Sequence, residues 1–161
     1  MIYDMTPIKD ADKLTKEKYD PCCCTPLFDA IGKTVKTLKK KIADVEDAGV
    51  LVTIITDGYE NSSKEWDAKG IAKLIDECKE DGWMFSFIGA GEDVVKVATT
   101  ISITNTMVWE NTSEGTKKMF DEENDARVRF CMRHDSLIDP CMSLEEKKMT
   151  RKKLSKEYYK K

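Results

Sequence analysis

The sequence predicts an α/β protein, a three-layer, mostly parallel sheet flanked by helices, on three observations. The stretch Val50-Leu-Val-Thr-Ile-Ile-Thr56 is an unbroken apolar and β-branched run closing on Asp57-Gly58. A run that can be buried on both faces reads as a strand of a parallel sheet, not as a half-exposed hairpin strand. A second such run, Trp83-Met-Phe-Ser-Phe-Ile88, ends in Gly89-Ala-Gly91. Charged stretches with apolar residues every three or four positions surround both runs, long enough to be crossover helices.

Taken in order, Met1 to Met5 reads as a short strand, followed by a polar Lys/Asp-rich connection that Asp20-Pro21 breaks before Cys22-Cys-Cys24. Thr25-Pro26 reads as a helix start, with Thr as N-cap, Pro in the first helical position and Asp29 near the positive end of the helix dipole. Leu27, Ile31, Val35, Leu38, Ile42 and Val45 form one apolar stripe that Gly49 terminates. After the polar loop 58–63, a second helix is expected from about Ser63 to Asp81, buried through Ile71, Leu74, Ile75 and Cys78 and stopped by Gly82. A short helix over Asp93–Thr99 leads to a last strand around Thr106–Trp109. Asn111-Thr-Ser-Glu114 supplies caps for a helix to about Arg133. Residues 134–161 form a basic, helical carboxyl-terminal tail. Ser143-Leu-Glu-Glu146 has the form of a capping box, and eight Lys/Arg stand against three Glu from Met142 to Lys161. With Leu144, Leu154 and Tyr158 as its apolar residues, this tail is expected to be solvated or frayed.

Composition narrows the function classes. At 161 residues the chain is one domain with an appendage. Its 35% charged residues belong on helix surfaces, and a net charge of −3 offers no overall attraction for nucleic acid. No apolar run is long enough to span a membrane, and no segment has signal-peptide form. Six cysteines, three of them adjacent, do not make a disulfide framework and read as reduced thiols in a cytoplasmic setting.

Two polar signals converge on the carboxyl end of this sheet, where open α/β sheets place their ligand sites. Thr25 precedes the first long helix and Asp57 ends the strand that follows it. With Thr-Pro-Leu-Phe-Asp-Ala-Ile-Gly (25–32), Thr-Asp-Gly-Tyr-Glu-Asn-Ser-Ser (56–63), the stretch 82–91 and Thr-Ser-Glu-Gly (112–115), the chain resembles the von Willebrand factor type A domain, and especially its bacterial members. The resemblance covers about residues 1–130. It implies a Rossmann-like fold, a protein-binding function of adhesion or assembly type, no enzymatic activity, and a divalent cation, usually Mg2+, held at a metal-ion-dependent adhesion site. There Thr25 and Asp57 would be metal ligands, an acidic side chain of a protein partner would complete the shell, and Gly58, Glu60, Asn61 and Ser62 would shape the binding loop.

The chain departs from that pattern. No Asp-x-Ser-x-Ser loop occurs, so the expected site is incomplete, and a Thr plus an Asp are too few to hold an ion that dehydrates as reluctantly as magnesium. The strands that would pair with the central one have no counterpart, which implies a fold incomplete on its amino-terminal side. An open edge beside Val50–Thr56 would follow, with self-association through it. Two further readings stand beside the binding module. One is a structural scaffold with a relic site. The other is a magnesium-dependent receiver or phosphotransfer domain using Asp57, for which no acidic pair is found at an earlier strand end.

Other motifs carry less. Gly32-Lys33-Thr34 has the ending of a P-loop, but Leu27 stands where its first glycine is needed. Gly89-x-Gly91 lacks the third glycine of a dinucleotide site. Cys22-Cys24 reads as a loop substitution in preference to a thiol metal site or redox switch, His134 as a surface residue, and Cys78 as core.

Overall fold

The central run forms strand β1 (Leu51–Thr56), and the second run forms β2 (Met84–Ala90). The structure, a computed structural model, describes residues 3–18, 24–91 and 93–160. β2 pairs in parallel with β1 and with β3 (Asn105–Trp109), giving an open sheet of order β1-β2-β3 in the described residues. Thr56 lies opposite Gly89. Helices α1 (Leu27–Lys41), α2 (Ala68–Glu80) and α3 (Val94–Thr100) alternate with the strands, and α4 (Ser113–Leu137) and α5 (Leu144–Ser155) follow β3. The result is an α/β arrangement of Rossmann-like kind. The outer side of β1 has no partner strand among the described residues.

Strand alternation sends side chains to opposite faces, and the two faces pack differently. Ile54, Phe85 and Phe87 meet the apolar stripes of α1, α2 and α3 in one core, with Ile71, Ile75 and Ile101 fully buried. The other face buries Met84, Ala126 and Tyr158, with Leu51, Phe130 and Tyr159 beside them. It also carries a polar network. The Glu123 carboxylate of α4, 2% exposed, accepts hydrogen bonds from Tyr158 Oη (2.8 Å), Tyr159 Oη (2.8 Å) and Thr53 Oγ1 (2.9 Å), with Arg127 at 3.3 Å. Ser86 Oγ donates to Thr53 Oγ1 at 3.2 Å. Burial and the bond to Glu123 push both tyrosine hydroxyls well above their ordinary pKa.

Several expectations need correction. Tyr3–Met5 form no strand, and Met1 and Ile2 lie outside the described residues. The segment instead carries one 3-10 turn, Ile8–Asp10, and an Asp4–Lys41 ion pair ties it to the end of α1. α1 ends at Lys41, eight residues before Gly49, and Val45 is exposed. α2 begins at Ala68, capped by Asp67, because Ser63 is bonded to Glu60 and the N–H groups of residues 64–66 are bonded to Asp29 of α1. It stops as expected before Gly82, whose φ of +83° suits glycine. The carboxyl-terminal segment is helical and has the Ser143/Glu146 capping box, but it is not a frayed tail. Leu154 and Tyr158 are buried, and Lys147 and Arg151 both pair with Asp47. Those pairs hold Asp47 below its usual pKa against the opposing effect of burial. His134 is half-buried and accepts from Arg151 Nε at 3.2 Å. Cys78 is core, and burial raises its thiol to about 11.

Candidate functional site

The loop after β1 and the start of α1 are fastened together by two carboxylates used in reciprocal fashion. Glu60, from the loop, accepts the N–H of Phe28 in the first turn of α1 at 2.8 Å, the N–H groups of Ser62 and Ser63 at 2.8 and 2.7 Å, and Ser63 Oγ at 2.6 Å. Asp29, from α1, accepts the N–H groups of Lys64, Glu65 and Trp66 at 2.8, 3.0 and 2.9 Å. Ser63 Oγ in turn accepts the N–H of Asp29 at 3.0 Å. Helix starts leave N–H groups unsatisfied, and here a distant loop satisfies them. Pro26, not Thr25, occupies the N-cap position and makes no side-chain cap.

The electrostatics follow from this donor count. Partial burial works to raise the Glu60 pKa, but the Ser63 hydroxyl and the N–H groups of Phe28, Ser63 and Ser62 outweigh it. They bring Glu60 from 4.5 to about 2. The same kind of donation, led by the Lys64 N–H, lowers Asp29. Trp66 is carried by this clamp onto α1, where a Cβ on Gly32 would overlap its ring, so Gly32 serves as a seat for an indole. Lys36 Nζ lies 4.5 Å from the centre of the same ring.

Thr25 and the Asp57 loop do come together. The N–H of Thr25 donates to Asn61 Oδ1 at 2.9 Å, and the N–H of Asn61 returns a bond to the Thr25 carbonyl at 3.3 Å. A Cβ on Gly58 would lie 2.9 Å from Thr25 Oγ1, so the threonine hydroxyl rests directly on the glycine. Thr56 Oγ1 closes the turn by donating to the Gly58 carbonyl at 2.9 Å. Asp57 itself is exposed at the strand end and makes no side-chain hydrogen bond or ion pair with the described residues. It lies with Tyr59, Gly89 and Asp93 around a shallow depression of about 30 Å3. Tyr59 is 63% exposed. Asp93 is held below the usual carboxylate range first by Lys96 and also by the Tyr59 hydroxyl. Ser62 contributes its N–H to the clamp, while its Oγ is buried without a partner among the described residues.

The oxygens that these residues leave free of internal hydrogen bonds are few for a magnesium ion. The ion prefers about six oxygens in near-octahedral geometry. Both Glu60 oxygens and Asn61 Oδ1 already accept N–H or O–H groups, which leaves the Asp57 carboxylate and the Thr25 hydroxyl. No group of three His, Cys, Asp or Glu side chains converges anywhere among the described residues. Cys22 and Cys23 lie outside the described residues, and Cys24 is exposed. No helix among the described residues is long and apolar enough to cross a membrane.

The sequence places Thr25, Asp57, Gly58, Glu60, Asn61 and Ser62 at this end but does not show what Asp29, Glu60 and Ser63 do there. Asp29 reads locally as a helix-dipole residue and Ser63 as a helix start. No local signal shows that they bind each other's segments across more than thirty positions. Comparison with known proteins gives no match, either to a family model, to a curated protein or to a solved structure.

Proposed function

We propose that the chain is a non-enzymatic protein-binding module resembling the von Willebrand factor type A domain, with its metal-ion-dependent adhesion site reduced to Thr25 and Asp57. The observation that carries this reading is the exposed Asp57 carboxylate. It projects from a rim whose other polar groups, on Glu60, Asn61 and Thr56, are held by internal hydrogen bonds. A rigid loop presenting one unpaired charge and the exposed Tyr59 suits recognition, because little is left to order on binding. Without a cation, the carboxylate selects a donor on the partner, a lysine, an arginine or an N–H. Bound Mg2+ would select an acid instead.

The test compares proteins captured by the immobilised chain and by its Asp57→Ala variant, each with and without millimolar magnesium. A partner held by the wild type and weakened roughly tenfold or more in the variant supports the assignment. Identical captured sets overturn it and favour a scaffold with a relic site, the reading that the Glu60–Asp29 clamp supports. A magnesium-induced rise in unfolding temperature of several degrees, lost in Asp57→Ala, would overturn the reduced site.

A further inference from the structure

We propose that the free edge of β3 and the facing side of α4 form a second site, which takes an extended, basic peptide segment as an added strand. β3 is an outer strand, paired only with β2 among the described residues. An unpaired edge offers a row of N–H and C=O groups to another chain. Beside this edge runs a groove in two adjoining parts of about 390 and 240 Å3, which share Met107 and Glu122. β3 and the residue after it form one wall, from Thr106 to Glu110. The other wall is one stripe of α4 at helical spacing, Glu114, Lys118, Glu122, Asp125 and Arg129. At ~3.3 Å per residue the strand wall runs roughly 16 Å, the length of a short peptide strand.

Two observations select the occupant. Trp109, which lines the larger part, and Arg129, which lines the smaller, each carry a buried side-chain N–H, Nε1 and Nε, with no acceptor among the described residues. Buried N–H groups are rarely left unmatched, and the carbonyls of an extended backbone would supply acceptors at both ends. The charged lining is Glu110, Glu114, Glu122 and Asp125 against Lys118 and Arg129, an acidic excess that favours lysine or arginine side chains. Along the free edge of β1, Leu51–Thr56, no buried unpartnered side-chain donor is found among the described residues. This site uses none of the residues proposed for binding around Asp57, so the two stand or fall separately.

The probe is an acetylated, amidated hexapeptide of alternating Lys and Val, titrated into the full-length 15N-labelled chain. A Glu/Val peptide and a Lys/Val peptide N-methylated at alternate residues serve as controls. Expected are saturable shifts of the amides of 106–110 and of the Trp109 indole N–H, which Trp109→Phe identifies. Neither control should produce them at the same concentration. The double variant Glu114→Lys/Glu122→Lys changes exposed residues only and should weaken binding roughly tenfold. The proposal is overturned by equal binding of the acidic or N-methylated peptide, by an unmoved Trp109 indole at millimolar peptide, or by an unchanged affinity in the double variant. It is also overturned if the same signals move with protein concentration alone, which would make a second copy of the chain the occupant.

Discussion

The two faces of the sheet are held by different physics. On the side of α1, α2 and α3, burial is continuous and apolar, running from Leu27 through Ile54 and Phe87 to Ile103. On the side of α4 and α5, Met84, Ala126 and Tyr158 form a smaller buried cluster with Leu51, Phe130 and Tyr159 against it, and Met119 and Leu154 are buried as well. Polar contacts add much to the adhesion there. Glu123 gathers two tyrosine hydroxyls and Thr53, Asp47 binds Lys147 and Arg151, and Lys152 reaches Glu80 at 2.6 Å. Apolar burial is indifferent to pH and strengthened by excluded salts, whereas charge pairs weaken with screening. The first face is therefore the stable platform, and the second is where α5 comes off first.

The largest effect should come from Phe87→Ala on the first face. Its cavity should cost about 3–5 kcal/mol and lower the whole unfolding transition together. Loss of protection confined to one helix in hydrogen exchange would contradict the description of that face as one core. Glu123→Gln comes next, at about 2–3 kcal/mol, because one amide cannot accept from every donor that the carboxylate serves. Amides of residues 144–160 should then exchange well before those of α1 and α2. Uniform exchange across both faces would erase the distinction between them.

The clamp at the carboxyl end of the sheet should respond to pH. Glu60 has a folded-state pKa of about 2 against an ordinary 4.5, so its contribution is fully present above pH 4.5 and is lost as the pH falls toward 2. Glu60→Gln should cost about 1–2 kcal/mol at neutral pH, less than the full shift implies because solvent reaches part of the group. The variant should also show a flatter fall in denaturation midpoint across that acid window, and an unchanged slope would dissociate Glu60 from the clamp. The smallest effect belongs to Asp57→Ala. With no partner among the described residues, it should change stability by less than about 0.5 kcal/mol.

Much of the architecture was legible in the chain. The two apolar runs are parallel strands, the stripe of Leu27, Ile31 and Val35 is buried, Ile71 to Cys78 face inward, and the Ser143 and Gly82 signals mark real helix ends. These features follow from period and capping, which act within a few residues. The packing of the tail is not legible there, because its charge count does not reveal that Lys147 and Arg151 find Asp47 about a hundred positions away. The polar groups at the site were likewise visible as residue types but not as partners.

The sequence by itself therefore determined the three strands of the sheet, the course of the helices between and after them, and the end of the sheet that carries Thr25 and the Asp57 loop, because hydrophobic period and turn chemistry are local. Only the tertiary structure decided which carboxylates remain open to a ligand. Glu60, Asp29 and Glu123 are engaged by donors from distant segments, and Asp57 is left exposed. A carboxylate's role is set by the donors that reach it, and those donors arrive through folding.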